Sequence, residues 1–266
     1  SREMHPEDTI IEVGSASFGA PSFTIIAGPC SVESEANVLQ VAEYLMSRGV
    51  TLLRAGAFKP RTSPYSFQGM EQEGLAILER AREKTGIRIV TEVMDTEQVE
   101  AVAASTDIIQ IGTRNMQNFS LLKKVASCNR PVLLKRGMSA TLDEWLMAAE
   151  YLLAGGNKNV ILCERGVRTF TDHTRNTLDL SVVPPVKENS HLPILIDPSH
   201  GTGRRNYVPA MALAGLAAGA DGLMVEVHPD PSTAMSDGAQ TLDFKEFDRL
   251  LESLRALAEP LERNIG

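Results

Sequence analysis

No apolar run in the 266 residues approaches the roughly 18 that a membrane span requires. The opening Ser1-Arg-Glu-Met-His-Pro6 carries none of the apolar stretch of a secretory signal. Cysteine is scarce. The chain has three, an odd number without paired spacing, which excludes a disulfide framework and suits the reducing cytoplasm. Basic charge is in deficit, 26 Lys and Arg against 34 Asp and Glu, and the net charge of −8 argues against a broad nucleic-acid-binding surface. A local basic site inside an acidic protein is still allowed. Nucleotide fingerprints are missing too: Gly112-Thr-Arg114 and Gly201-Thr-Gly203 lack the glycine spacing of a dinucleotide loop and the Lys-Ser/Thr of a Walker loop. No nucleotide cofactor, nucleic-acid partner or membrane partner is therefore expected.

Hydrophobic residues make up 43% of the chain, enough to bury a large core in one domain. Short apolar, β-branched runs occur near 23–30, 52–57, 87–93, 108–112, 132–137, 160–166, 192–197 and 222–228. Helical patterns alternate with them at 35–48, 69–84, 96–104, 120–126, 142–154, 208–218 and 244–258. Eight βα units without a linker favour a closed parallel (β/α)₈ TIM barrel over residues 23–266. Residues 1–22 form an extension whose two short alternating runs around Gly14-Ser15 predict a hairpin capping the N-terminal end of the barrel. Stretch 169–191 is irregular, and Pro184-Pro185 are expected to force an extended path there after at most a short helix. Trp145, Met46, Met147 and Met211 fall on apolar helix faces and read as core.

In such a barrel, reactive groups gather where strands end and βα loops begin. Here those ends are polar. Cys30 closes the first strand, His200 follows the seventh, Glu226 sits in the eighth and Asp237 comes soon after. Barrel closure would put strands one and eight side by side. A thiolate, an imidazole and two carboxylates would then suit a borderline divalent ion, Mn²⁺, Fe²⁺, Co²⁺ or Zn²⁺, better than Ca²⁺ or Mg²⁺. Spacing alone does not separate this from a buried cysteine, a loop histidine and two solvated carboxylates. Cations form a second pattern. Arg54, Arg114, Lys135, Arg136 and Arg165 end or follow strands, and Lys59 and Arg61 lie in the loop after the second. Any one of them reads as a surface charge. Convergence of so many predicts a pocket for phosphates and carboxylates, with Arg pairing bidentately and Lys able to donate a proton.

From Asp8 onward the chain resembles the 3-deoxy-D-arabino-heptulosonate 7-phosphate synthases of the short microbial I-beta type. The resemblance rests on Ala27-Gly-Pro-Cys-Ser-Val-Glu33, Lys59-Pro-Arg-Thr-Ser-Pro-Tyr-Ser-Phe-Gln-Gly69, Ile109-Gln-Ile-Gly112, Asn115, Leu134-Lys-Arg-Gly137, Leu162-Cys-Glu-Arg-Gly166, Asp197-Pro-Ser-His200 and Val225-Glu-Val-His-Pro229. It implies a metal-dependent condensation of phosphoenolpyruvate with erythrose 4-phosphate, the first step of the shikimate pathway. It also implies that Cys30, His200, Glu226 and Asp237 hold the metal. Arg114 and Arg165 would take the phosphoenolpyruvate phosphate, and Arg54 with Lys135 its carboxylate. Lys135 would also donate a proton, and Glu92 would position the water. Lys59, Arg61 and Thr62 resemble the aldehyde-binding loop, with Arg61 on the terminal phosphate. A homo-oligomer, tetramer or dimer, is expected.

The related octulosonate 8-phosphate synthases usually carry Ala-Asn-Arg-Ser in the loop after the second strand, where this chain has Lys59-Pro-Arg-Thr-Ser63. That difference favours the four-carbon aldehyde. A catalytically silent phosphometabolite sensor has no need of both a full metal set and Lys135. Because the barrel takes up almost every residue, no separate inhibitor-binding domain is expected, and the 266-residue chain should be active but insensitive to phenylalanine, tyrosine and prephenate.

Overall fold

The computed structural model describes residues 2–59, 65, 67 and 69–266. The alternating runs near the start of the chain form an antiparallel hairpin, β1 (Ile11–Val13) and β2 (Ala16–Phe18), pairing Ile11 with Phe18 and Val13 with Ala16. Eight parallel strands follow: β3 (Ser22–Gly28), β4 (Leu52–Arg54), β5 (Arg88–Val93), β6 (Ile108–Ile111), β7 (Val132–Lys135), β8 (Val160–Glu164), β9 (Ile194–Ile196) and β10 (Gly222–Glu226). Each pairs with the next, and β10 closes on β3 from Gly222 opposite Thr24 to Glu226 opposite Gly28. The sheet is thus the expected barrel.

Because side chains alternate along a strand, each strand serves two cores. One face carries Ile25, Leu53, Ile89, Ile109, Leu134, Leu162, Ile196 and Val225 into a shell shared with the helices. The opposite face carries Ile26, Leu52, Val90, Ile108, Leu133, Ile161, Leu195 and Met224 into the barrel interior, together with Ile11, Val13, Ala16 and Phe18 of the hairpin. The hairpin therefore plugs one end with apolar side chains. The Thr24 hydroxyl ties it to the barrel by donating to the Ser17 carbonyl.

The surrounding helices are α1 (Glu35–Ser47), α2 (Glu71–Thr85), α3 (Val99–Ser105), α4 (Phe119–Ala126), α5 (Leu142–Ala154), α6 (Val183–Asn189), α7 (Pro198–Thr202), α8 (Val208–Ala217) and α9 (Phe244–Ala258). Their starts are legible chemically. Thr141 with Glu144 and Asp243 with Glu246 form reciprocal capping boxes on α5 and α9. Pro184-Pro185 do not force an extended path: they lie in the first turn of α6, where a missing N–H costs nothing and a fixed φ favours the helix. Trp145 is buried and donates to the Leu134 carbonyl, as a core residue should. Met147 is 58% exposed, however, because its position on α5 lies off the stripe formed by Trp145, Ala148, Ala149 and Leu152. A short strand, β11 (Asn264–Ile265), lies beside β3, outside the sequence pattern. The Arg263 guanidinium fixes it by donating to the carbonyls of Pro21, Ser22 and Ala220 at 3.1, 2.8 and 3.0 Å.

Candidate metal centre and substrate pocket

Two residues beyond the interior apolar ring, the same strand faces turn polar. Leu52 is followed by Arg54, Val90 by Glu92, Ile108 by Gln110, Leu133 by Lys135, Leu195 by Asp197 and Met224 by Glu226. Strand periodicity places all of these at the mouth opposite the hairpin. Arg54, Gln110, Lys135, Asp197 and Glu226 are all buried.

Cys30, His200, Glu226 and Asp237 each offer one ligand atom, and these atoms lie within 4.8 Å of one another. The Cys30 thiol donates to Asp237 Oδ2 at 3.1 Å. Burial, reinforced by Glu226, pushes the Cys30 thiol up to about 11, so the proton stays on sulfur until a cation replaces it. Asp237 sits in the turn before Gly238 with φ +53°, a left-handed conformation that Asp tolerates better than most residues. Although burial opposes it, the Cys30 hydrogen bond, helped by His200 and then Arg175, holds the Asp237 carboxyl down to about 2.

His200 supplies a test of fit for a metal. Its Nδ1 lies 2.7 Å from Asp197 Oδ2, so the ring proton belongs on Nδ1 and the Nε2 lone pair faces the cluster. Burial holds the imidazole below its ordinary pKa, against the pull of Asp197 and Glu226. Yet Nε2 lies 3.3 Å from Glu226 Oε1, an approach of two lone pairs that a shared cation reconciles. The residues fit a metal ion.

Cations ring the cluster. Arg54 Nη1 donates to Glu226 Oε1 at 2.9 Å and to the Pro29 carbonyl at 3.0 Å, while its buried Nε has no partner among the described residues. Lys59 is buried and places Nζ 3.0 Å from Cys30 Sγ, also donating to the Cys30 carbonyl. Glycine at position 56 makes the room, since a Cβ there would meet Lys59 Nζ at 2.8 Å. Lys135 Nζ lies 2.6 Å from Asp197 Oδ2. Contacts from His200 and Lys135 keep Asp197 well below the usual carboxylate range although burial pushes the other way. Arg165 is buried and, among the described residues, makes one long hydrogen bond, 3.4 Å to the Gly166 carbonyl; burial pushes its guanidinium below its ordinary pKa.

Not every predicted cation converges. Arg136 turns away from the mouth: it donates to Glu164 Oε2 and Asp179 Oδ2, both at 2.9 Å, and lies over the Trp145 ring. It belongs to the scaffold because side chains alternate, and its neighbour Lys135 takes the inward position. Arg114 stays at the mouth, exposed on the turn Thr113–Asn115 directly after β6. Glu92 accepts from Gln110 Nε2 at 3.0 Å, and it packs so closely over Gly112 that a Cβ there would fall 1.9 Å from its Oε1. Arg61 and Thr62 lie outside the described residues. Asp197, Arg175 and Gln240 are contributors that the sequence reading missed. Asp197 was signalled by its place three residues before His200, where it also caps α7 through the His200 N–H. Arg175 had no signal, because it lies in a stretch without periodicity.

A closed parallel barrel with a thiol, an imidazole and two carboxylates beside buried cations at one mouth defines a (β/α)₈ barrel with a candidate metal centre in a cationic pocket. The chain belongs to the DAHP synthetase I family, whose model matches residues 9–263. It is 53% identical to the phospho-2-dehydro-3-deoxyheptonate aldolase of Thermotoga maritima over 261 residues, 98% of this chain and 77% of that protein. A crystal structure of the DAHP synthase of that organism superposes with a TM-score of 0.98 at 52% identity, over 100% of this chain and 78% of the other. The chain is also 32% identical to a 2-dehydro-3-deoxyphosphooctonate aldolase of Coxiella burnetii, over 91% of each chain. Among the described residues no helix is long and apolar enough to cross a membrane.

Proposed function

We propose that this chain is a DAHP synthase, joining phosphoenolpyruvate, erythrose 4-phosphate and water to give the seven-carbon product and inorganic phosphate. The observation that carries the reading is the four-ligand cluster set among Arg54, Lys59, Lys135 and Arg165 at one barrel mouth. Cys30, His200, Glu226 and Asp237 would hold a divalent ion, Mn²⁺, Fe²⁺, Co²⁺ or Zn²⁺ by the softness of the set. When bound, that ion supplies Lewis-acid polarisation of the aldehyde.

The remaining roles fall to side chains. Arg165 with Arg114 takes the phosphoenolpyruvate phosphate. Arg54, whose buried Nε has no partner among the described residues, takes the carboxylate together with Lys135, and this fixes C3 against the aldehyde carbon. Bond formation between those carbons leaves positive character at C2. Water held by Glu92 adds there, and phosphate departs with cleavage of its C–O bond. Lys135 donates the proton that turns the aldehyde oxygen into a hydroxyl. Lys59, Arg61 and Thr62 form the aldose-phosphate loop, with Arg61 on the terminal phosphate. Residues 23–266 are the catalytic barrel and 1–22 its extension. The enzyme works in the cytoplasm, which its three free thiols suit, and as a homo-oligomer, a tetramer or dimer.

The test is to incubate metal-loaded protein with phosphoenolpyruvate and either erythrose 4-phosphate or arabinose 5-phosphate, following phosphate release and product mass. The expected product has seven carbons. An eight-carbon product would make the chain an octulosonate 8-phosphate synthase, the activity named for its Coxiella relative. No phosphate release with either sugar would leave a binding barrel.

A further inference from the structure

The irregular stretch between β8 and α6 carries one dipeptide, Arg175-Asn176, that reaches three of the four cluster residues. Arg175 Nη1 donates to Asp237 Oδ1 at 3.2 Å and to Gln240 Oε1 at 3.1 Å. Gln240, 2% exposed, passes the contact on, its Nε2 donating to Glu226 Oε2 at 2.8 Å. Asn176 donates from Nδ2 to the His200 carbonyl at 3.1 Å. The backbone N–H groups of Arg175 and Asn176 donate to Thr202 and Gly201, locking the dipeptide along α7.

The choice of carboxylate oxygens is the informative detail. Asp237 turns Oδ2 to Cys30, and Glu226 turns Oε1 to His200, an oxygen that also accepts from Arg54 Nη1 and keeps its second lone pair for the cluster. The oxygens left over, Asp237 Oδ1 and Glu226 Oε2, are the ones that Arg175 and Gln240 occupy. A carboxylate with both oxygens free can rotate, or bind an ion through either or both of them. Occupying one oxygen of each fixes a single donor per residue and a single direction. Arg175 is suited to this because two N–H bonds of one nitrogen diverge toward the two acceptors. Gln240 is suited because its amide accepts at one end and donates at the other.

We propose that Arg175 and Gln240 are positioning residues that clamp Asp237 and Glu226 as one-oxygen ligands, with Asn176 seating His200 from the same segment. The inference rests on the reading of Cys30, His200, Glu226 and Asp237 as metal ligands. It gives the stretch between β8 and α6 a task at the metal centre.

Cobalt serves as probe and spectroscopic reporter in the 266-residue chain. Co²⁺ is titrated against a competing chelator into wild type, Arg175→Met, Gln240→Met and Cys30→Ser, with visible and near-ultraviolet spectra recorded. Unfolding midpoints are measured on the metal-free proteins. Arg175→Met and Gln240→Met are expected to bind cobalt about 10 to 100 times more weakly and to change the visible bands. Both should keep the thiolate-to-cobalt band of Cys30. Arg175→Lys should recover part of the affinity by restoring a cation at Asp237. The Arg175 side chain is 45% exposed, so its replacement tests the clamp even should Gln240→Met fail to fold. Wild-type affinity and spectra in Arg175→Met, with or without a lowered unfolding midpoint, would overturn the clamp alone. Absence of the thiolate band in wild type would overturn the metal-site reading and the clamp with it.

Discussion

Lys135 and His200 meet on one oxygen: Asp197 Oδ2 lies 2.6 Å from Lys135 Nζ and 2.7 Å from His200 Nδ1. The proposed proton donor and a proposed metal ligand are thus joined through a buried carboxylate. Lys135→Met should lower turnover by several orders of magnitude rather than raise the Michaelis constants alone, because the residue is assigned both binding and proton transfer. Steady-state kinetics with metal content measured on the same sample check this. A rise in the Michaelis constant for phosphoenolpyruvate alone would make Lys135 a binding residue and send the search for the acid elsewhere.

Chelation is expected to abolish turnover, and Mn²⁺ or a similar ion to restore it. Full activity in protein shown to be metal-free would overturn that. Cys30→Ser should retain less metal through dialysis, because a hydroxyl is a far poorer ligand than a thiolate. Unchanged metal content and rate would remove Cys30 from the site.

Arg61→Ala should raise the Michaelis constant for the aldose phosphate with little effect on that for phosphoenolpyruvate. Equal loss for both substrates would contradict the assignment of Arg61 to the terminal phosphate.

Arg136→Ala tests the scaffold. Burial already holds the Glu164 carboxyl above the usual range, with Arg136 pulling the other way. Without Arg136, a Glu164 charge of 0% side-chain exposure loses its ion-pair partner, a change that costs about 3–5 kcal/mol when a buried pair is broken. The Glu164 pKa should then rise further. With the folded pKa above the unfolded one, the folded state holds the extra proton in the window between them, so stability falls as pH rises through it. Denaturant unfolding should therefore show a smaller loss at pH 5 than at pH 8. A loss independent of pH would mean that Glu164 is not the group responsible.

The barrel was legible because eight β-branched runs alternate with amphipathic patterns, and the hairpin because its runs alternate around Gly14-Ser15. The proximity of Cys30, His200 and Glu226 was legible for a related reason: they stand at or just after strand ends that barrel closure brings together. Arg136 misled because one residue of pleat separates an inward cation from an outward one. Pro184-Pro185 misled because proline stops a helix from the inside but suits its first turn. Arg175 and Gln240 lay beyond reach for another reason. Their partners come from loops without periodicity, and only the fixed positions of α7 and the turn after β10 make them neighbours.

The interior apolar ring and the polar ring above it are one pleat repeat apart, about 7 Å of strand rise. The lower layer is sealed beneath by Phe18 and Ile11, each no more than 1% exposed, so nothing enters from that side. Among the described residues, that leaves the opposite end as the doorway. Two substrates and a water must arrive, and the sugar acid and phosphate leave, through the loops at the opposite rim. With the cations proposed to bind phosphoenolpyruvate at the floor, a sugar phosphate that entered first would lie across the path to them. On that assignment the shape of the vessel sets an order of loading, deepest ligand first, before any conformational change is invoked.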